Sequence, residues 1–217
     1  SLSSQLEFFI RYLPFMSHAP TLSTREKLDR FFSGISTNKA RQYIDFLGPL
    51  TLSAKEHLII DTTESALPYV EKLLEGVKHF DRVTQRQYLD LAIYLAEDCL
   101  VKTDRASSYN SLEVRVPFLD TSLVKYIFSL PSSYRMQALT LKYLLKRVAK
   151  GLISDEIIHR PKKGFGIPIE NLLRGELKTM LLSYLSKQKI KNTGLFHFSY
   201  IERLTREHMS GATNHGR

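Results

Sequence analysis

Apolar positions recur at helical spacing along most of this chain. Ala40, Tyr43, Ile44 and Leu47 fall at i, i+3, i+4 and i+7, and Gly48-Pro49 follows, so a helix is predicted to end there. A second helix is predicted over 65–80. A third, over 83–97, carries Tyr88, Leu91, Ala92 and Leu95 on one face. Leu123, Val124, Ile127 and Phe128 share a stripe, with Asp120 or Thr121 as the cap and Pro131 as the stop. Leu141, Leu144, Leu145 and Val148 share another, with Thr140 as the cap and Gly151 placed to end it. Leu173, Leu177, Met180, Leu181 and Tyr184 lie on one face, and a last helix is predicted over 198–209. Ser23-Thr24-Arg25-Glu26, ahead of Leu28, Phe31 and Phe32, and Ser53-Ala54-Lys55-Glu56 both have the capping-box pattern. No segment alternates as a half-buried strand does, and Leu58-Ile59-Ile60 is ambiguous. The expected fold class is mainly α, a multi-helix assembly. Its short, aromatic-rich faces call for a second layer, such as a sheet from elsewhere in a longer chain.

Composition narrows the function classes. At 217 residues with 43% hydrophobic and 24% charged side chains, the chain has a globular composition. No apolar run reaches the length of a membrane span. The opening Ser1-Leu2-Ser3-Ser4-Gln5 has no basic stretch followed by an apolar one, so no secretory signal is read. A single cysteine, Cys99, excludes an internal disulfide framework and fits a reducing, cytoplasmic setting. No Cys/His cluster has zinc spacing. The net charge of +9 is skewed: residues 1–134 hold 15 Lys+Arg against 16 Asp+Glu, and residues 135–217 hold 16 against 6. Such a skew reads either as a polyanion partner or as a solvated basic surface.

Three segments carry candidate chemistry. In 97–120, Asp98, Lys102, Asp104, Arg105, Glu113 and Arg115 crowd among apolar residues. Glu113 and Arg115 share one side of an extended backbone, with Val114 and Val116 pointing away. The pattern reads as an internal ion network beside a pocket, or as a structural salt-bridge network where a helix gives way to a loop. In 140–151, Lys142, Lys146 and Lys150 form a stripe, and Lys142 lies nearest the apolar face, so partial burial is expected. A partly desolvated lysine can neutralise charge on a phosphoryl or carbonyl oxygen. The third segment, Arg160-Pro161-Lys162-Lys163-Gly164-Phe165-Gly166-Ile167-Pro168, is a loop whose cations and free amides could hold an anion. It lacks the spacing of a Walker loop.

Read together, Asp98 to Ser107, Ser111 to Asp120, Leu141 to Lys146 and Arg160 to Pro168 resemble the synthetase domain of glutamine-dependent asparagine synthetases. The family's stretches of the form DLLVKVDRASM, SLEVRVPFLD, TKYLLR and RPKKGFGVP recur in the same order. The resemblance covers about residues 88–217, including His208-Met209-Ser210-Gly211 and His215-Gly216-Arg217. It implies the helical C-terminal part of an α/β ATP-pyrophosphatase domain, adenine nucleotide α-hydrolase-like, with its sheet largely outside this chain. It implies Mg-ATP chemistry: adenylation of the side-chain carboxylate of aspartate, release of pyrophosphate, then attack by ammonia derived from glutamine. Lys142 takes the place of the family's active-site lysine and Glu113 that of its acidic residue. Asp104, Arg105 and Arg115 match motif positions and are read as organisers around the site. Lys162 and Lys163 are read as approaching phosphate.

The departures set further expectations. The pyrophosphate loop of the form Ser-Gly-Gly-x-Asp-Ser, the acidic glycine-rich turn that helps hold magnesium, and an N-terminal nucleophilic cysteine are all missing from the sequence. Cys99 stands where the family often has leucine, and Ser108 where it commonly has methionine. The reading is therefore one partial synthetase domain over 1–217, with 1–80 free of recognised motifs and 81–217 bearing them. The isolated chain is expected to be inactive, with no bound cofactor or metal. Its expected partners are aspartate, ATP and ammonia, with glutaminase and pyrophosphate-loop segments upstream. No nucleic-acid or membrane partner is expected, and a homodimer stays open. Two alternatives stand: a paralogue amidating a polysaccharide-linked or β-lactam-type carboxylate, and a basic helical nucleic-acid-binding module. The latter does not explain acids such as Asp104 and Glu113 within the most distinctive segment.

Overall fold

The computed structural model describes residues 38–61, 65–137, 140–161 and 169–216. The first capping-box pattern, at Ser23–Glu26, and the loop lysines Lys162 and Lys163 lie outside the described residues. Helices α1 (Lys39–Leu47), α2 (Leu52–Leu58), α3 (Leu67–Gly76) and α4 (Arg82–Leu89) come first. The chain continues from α4 through a π-helix (Asp90–Leu100) directly into α5 (Val101–Tyr109). After a 3-10 turn (Pro117–Leu119) come α6 (Thr121–Ser129), α7 (Ser132–Arg135), α8 (Tyr143–Ala149) and α9 (Asp155–His159). The last four are α10 (Ile169–Arg174), α11 (Lys178–Tyr184), α12 (Lys187–Thr193) and α13 (Phe198–Ser210). Among the described residues, extended pairing is confined to isolated bridges, so the expectation of a mainly helical chain holds.

The described residues form two compact units, one of 38–61, 65–68 and 169–216, the other of 69–137 and 140–161. In the first, α1 buries Ala40, Tyr43 and Ile44, the face its periodicity marks. Asp45 is buried too, because its Oδ1 accepts the Leu52 amide at 2.6 Å and so serves the start of α2. Thr51 Oγ1 accepts the Ala54 amide at 3.2 Å and caps that helix. The capping box expected at Ser53–Glu56 is thus replaced by a cap two residues earlier, since Asp45 and Thr51 already satisfy the first amides. The ambiguous Leu58–Ile60 run pairs antiparallel with the segment after α12: Ile60 N donates to Leu195 O and His197 N to Leu58 O. Gly194, at φ +66, turns the chain into that pairing. The apolar face from Leu173 to Tyr184 is split between α10 and α11, interrupted at Gly175–Leu177.

The tail after α13 is tied back onto its own unit. Gly211 (φ +75) ends α13. His208, 3% exposed, accepts the His215 amide on Nδ1 at 3.1 Å, and its carbonyl accepts from Arg174 Nε at 2.8 Å. His215 Nε2 lies 2.7 Å from Glu207 Oε2, and Asn214 Nδ2 bonds Glu170. Burial, helped by the Arg174 cation, lowers the His208 pKa from its ordinary 6.5.

In the second unit, Asp81 caps α4 by accepting the Val83 and Thr84 amides. The Thr84 hydroxyl donates to Asp81 at 2.7 Å and accepts from buried Arg135 at 2.5 Å. That hydroxyl bond, with the two amides, holds the Asp81 carboxyl below its usual range. Arg135 also donates to Gln87 and sits over the Phe128 ring, which ties α7 to α4. The sequence predicts a helix over 83–97, but helical backbone runs unbroken from Arg82 to Tyr109. No glycine or proline interrupts those residues, and Lys102–Asp98 and Thr103–Cys99 contacts satisfy polar groups one turn apart.

Candidate active site

The distinctive segment builds its own cleft. Leu100, Thr103, Asp104, Ser107, Ser108 and Ser111 recur at i, i+3, i+4, i+7, i+8 and i+11, so they form one stripe along α5 and its end. The chain then turns back, and Leu112, Glu113, Val114 and Val116 form the facing wall of a cleft of about 610 Å³. The turn is a Schellman closure: Leu112 N donates to Ser107 O at 2.9 Å and Ser111 N to Ser108 O at 3.0 Å. Such closures favour glycine at the left-handed position, yet here it is Ser111, at φ +56.

Glu113 stands on the returning segment with Oε1 2.5 Å from Arg115 Nη2. The extended backbone read from the sequence does place these two side chains together. Of the two readings, the salt bridge where a helix gives way to a loop fits: the side chains are 74% and 84% exposed, so the pair faces solvent rather than an internal network. Asp104 lines the cleft opposite, and its carboxylate makes no hydrogen bond or ion pair among the described residues. Arg105 is exposed and, like Arg115, does not line the cleft. Lys102 pairs with Asp98 at 3.0 Å, a contact that raises its ammonium pKa.

Lys142 departs from expectation. It was expected inside a helix capped by Thr140 and partly buried; it is exposed and stands just before α8. Thr140 instead sits in a local antiparallel bridge with Gln137, its amide donating to Gln137 O at 3.0 Å, and no side-chain cap bond starts the helix. The helix therefore starts two residues late. Lys142 itself takes the left-handed backbone at φ 56, ψ 36, and its carbonyl accepts the first helical bond from Lys146 N. It does not line the Glu113 cleft. Ser111 and Lys142 are the non-glycine residues with positive φ among the described residues, and both fall inside the motif segments. Strained backbone of this kind costs roughly 1–3 kcal/mol and concentrates at functional sites.

The hydroxyl lining of Thr103, Ser107, Ser108 and Ser111 was not singled out from the sequence. Its signal was present as the helical stripe, hidden by ending the helix at residue 97.

Comparison with known proteins supplies the rest. The family described as Asparagine synthase matches residues 8–217. The chain belongs to the asparagine synthase family. Over 139 residues it is 35% identical to a putative glutamine-hydrolysing asparagine synthetase of Mycobacterium tuberculosis, covering 64% of this chain and 21% of that protein. Over 138 residues it is 28% identical to glutamine-hydrolysing asparagine synthetase 1 of Bacillus subtilis, covering 64% and 22%. It is also 24% identical over 145 residues to the amidase chry2 of Gibberella zeae, covering 64% and 21%. The chain thus spans about a fifth of the length of these curated relatives. No solved structure gives a significant match. No helix among the described residues is long and apolar enough to cross a membrane.

Proposed function

We propose that this chain supplies the acid–base wall of an ATP-dependent amide-forming site. The observation that carries the reading is the cleft, whose lining brings together Asp104 and Glu113 within the family's most distinctive segment. In the reaction that the family resemblance implies, the side-chain carboxylate of aspartate attacks the α-phosphorus of ATP and pyrophosphate leaves. Ammonia derived from glutamine then forms the C–N bond as the C–O bond to AMP breaks. Glu113 takes the proton released by the nitrogen, and Arg115, bound to one of its oxygens, fixes the carboxylate's direction. Lys142 neutralises charge on the phosphoryl or carbonyl oxygen; its ammonium makes no ion pair or hydrogen bond among the described residues and is free to do so. Lys162 and Lys163 are assigned to the phosphates by resemblance alone.

Among the described residues no three Asp, Glu, His or Cys side chains gather as a metal-holding group, and magnesium, where bound, would lean on one or two carboxylates together with the phosphates of ATP. Because the pyrophosphate loop is missing from the sequence, the isolated chain is expected to give no exchange of pyrophosphate into ATP. The decisive assay is that exchange on the complete protein, with aspartate compared against other carboxylates. Exchange with aspartate supports the reading. Exchange with only a sugar-linked or β-lactam-precursor carboxylate replaces the acceptor, and none with any carboxylate removes the reaction class.

A further inference from the structure

Residues 212–216 fold back on α10 and on the last turn of α13, and the contact at their centre tolerates one protonation state. The His215 amide donates to His208 Nδ1 at 3.1 Å, so Nδ1 carries no proton and the neutral ring's hydrogen is on Nε2. Nε2 is closed off from solvent and has no hydrogen-bond partner among the described residues. A second proton on the ring would set Nδ1–H against the His215 N–H, donor to donor. It would also charge a buried ring whose other nitrogen has no acceptor.

The groups around the ring do not rescue that charge. Arg174 of α10 and His215 of the tail oppose it, and the backbone and carboxylate of Glu170, also on α10, favour it without outweighing burial. The Glu170 carboxylate is taken up by Asn214 Nδ2, and that of Glu207 by the His215 ring at 2.7 Å. His57 of α2 meets α13 at Tyr200, about two turns before His208. Gly216 rests so closely on the start of α10 that a Cβ there would stand 3.2 Å from Glu170 Cα. The tail thus lies across two helices, and its central bond requires a neutral imidazole.

We propose that His208 is the catch of a proton-operated clasp, which holds residues 212–216 across α10 and α13 while its ring is neutral and releases them when the ring is protonated. The helices stay in place on release. Ile201 keeps α13 in the core, and Arg174 still donates to the His208 carbonyl at 2.8 Å. What opens is the first turn of α10, with the Glu170 and Glu207 carboxylates. The sign follows from the two states of the ring. Closed, its pKa lies below the ordinary 6.5; open and solvated, it regains that value. The clasp is therefore closed above about pH 6.5 and opens as pH falls toward the closed-state value. The device is independent of the amide-forming reading.

The test is hydrogen–deuterium exchange of the complete protein at pH 7.5 and 5.5, corrected for the intrinsic rate at each pH. Peptides covering 211–216 are read against peptides within 198–207. Protection of the tail is expected to fall roughly threefold to tenfold, the gain in open fraction that one excluded proton allows over this range. Protection within 198–207 is expected to hold. His208→Asn, which keeps an acceptor without titrating, is expected to abolish the fall. His215→Gln, which keeps the backbone amide and removes the other ring, is expected to retain it. The pH midpoint for exchange of the His208 C2 hydrogen should coincide with that of tail release, a comparison that stands even if His208→Asn does not fold. Tail protection independent of pH, a fall that survives His208→Asn or vanishes in His215→Gln, or two separate midpoints would each overturn the clasp. An equal fall within 198–207 would overturn it too, as unfolding of the whole unit.

Discussion

The motif cleft and the C-terminal tail are built from similar groups under opposite conditions. The cleft has Asp104, Glu113 and hydroxyls at an open surface, with Glu113 held by a single ion pair. The tail has Glu170, Glu207, His208 and His215 tied by bonds to Arg174 and Asn214, with His208 buried. A polar group that is buried and bonded stabilises the fold because losing its partner leaves it desolvated and unpaired. An exposed one adds little to stability and stays free to meet a ligand. On the proposed reading, chemistry belongs to the cleft and stability to the tail, and each half of that reading can be broken separately.

The largest expected effect is on turnover. Glu113→Gln removes the proposed proton acceptor, and Lys142→Ala removes the proposed neutralising cation. Each is expected to cost about 10²–10⁴-fold in amide formation by the complete protein. Urea midpoints should stay at the wild-type value, since both side chains are exposed. A shifted midpoint with intact turnover would invert the comparison.

In the tail the expectation reverses. Arg174→Leu removes the 2.8 Å bond to the His208 carbonyl, which keeps the Gly211 amide at 3.1 Å. The cost is about 0.5–1.5 kcal/mol of stability, measured by urea unfolding. The rate constant for amide formation by the folded fraction should not change.

How much of this was legible in the sequence depends on the reach of the interaction concerned. Helix α1, the Asp120 cap of α6, whose Oδ1 accepts the Ser122 and Leu123 amides at 3.0 Å, and α13 all follow from contacts within a turn or two. Glu113 and Arg115 were recognisable as a pair because an i, i+2 relation on extended backbone is local. The tail was not legible: Arg174 meets His208 across 34 residues and Asn214 meets Glu170 across 44. The exposed Lys142 at positive φ was not legible either, because the apolar stripe from Leu141 to Val148 reads as one helix through it. The continuous helix to Tyr109 could have been read from the absence of glycine and proline. The charge crowding after residue 97 masks that continuity.

The pH dependence of stability probes the tail more gently. His208 is held neutral because burial opposes its charge, and Arg174 opposes it further, against the weaker pull of Glu170. With a folded pKa below the ordinary 6.5, the unfolded chain binds the proton first as pH falls. Stability is therefore full above about pH 6.5 and is lost progressively toward the lowered folded value. Protonation also removes the Nδ1 lone pair that accepts the His215 amide. His208→Asn, which keeps an acceptor oxygen without titrating in this range, is expected to flatten the decline in urea midpoint between pH 7.5 and 5.5. An unchanged slope would place the titrating group elsewhere.

The smallest expected effect bears most directly on whether the cleft is strained for a purpose. Ser111 closes the Schellman turn at φ +56, where a side chain crowds the backbone by roughly 1–2 kcal/mol. Glycine removes that crowding, but its freer unfolded chain returns roughly 0.5–1 kcal/mol of the gain. Ser111→Gly is thus expected to stabilise the chain by about 0.5–1 kcal/mol, read as a raised urea midpoint. If the strained turn serves to hold Glu113 across from Asp104, the same substitution should lower kcat for amide formation while the protein becomes more stable. Ser111→Asn separates the two contributions, because asparagine tolerates the left-handed backbone while keeping a polar side chain on the lining. Turnover retained by asparagine and lost by glycine would assign the role to the polar lining. Turnover lost in both would assign it to the serine hydroxyl itself. Full turnover in both, with only glycine stabilising, would make Ser111 a plain structural cost and move the boundary between the two regions to Glu113.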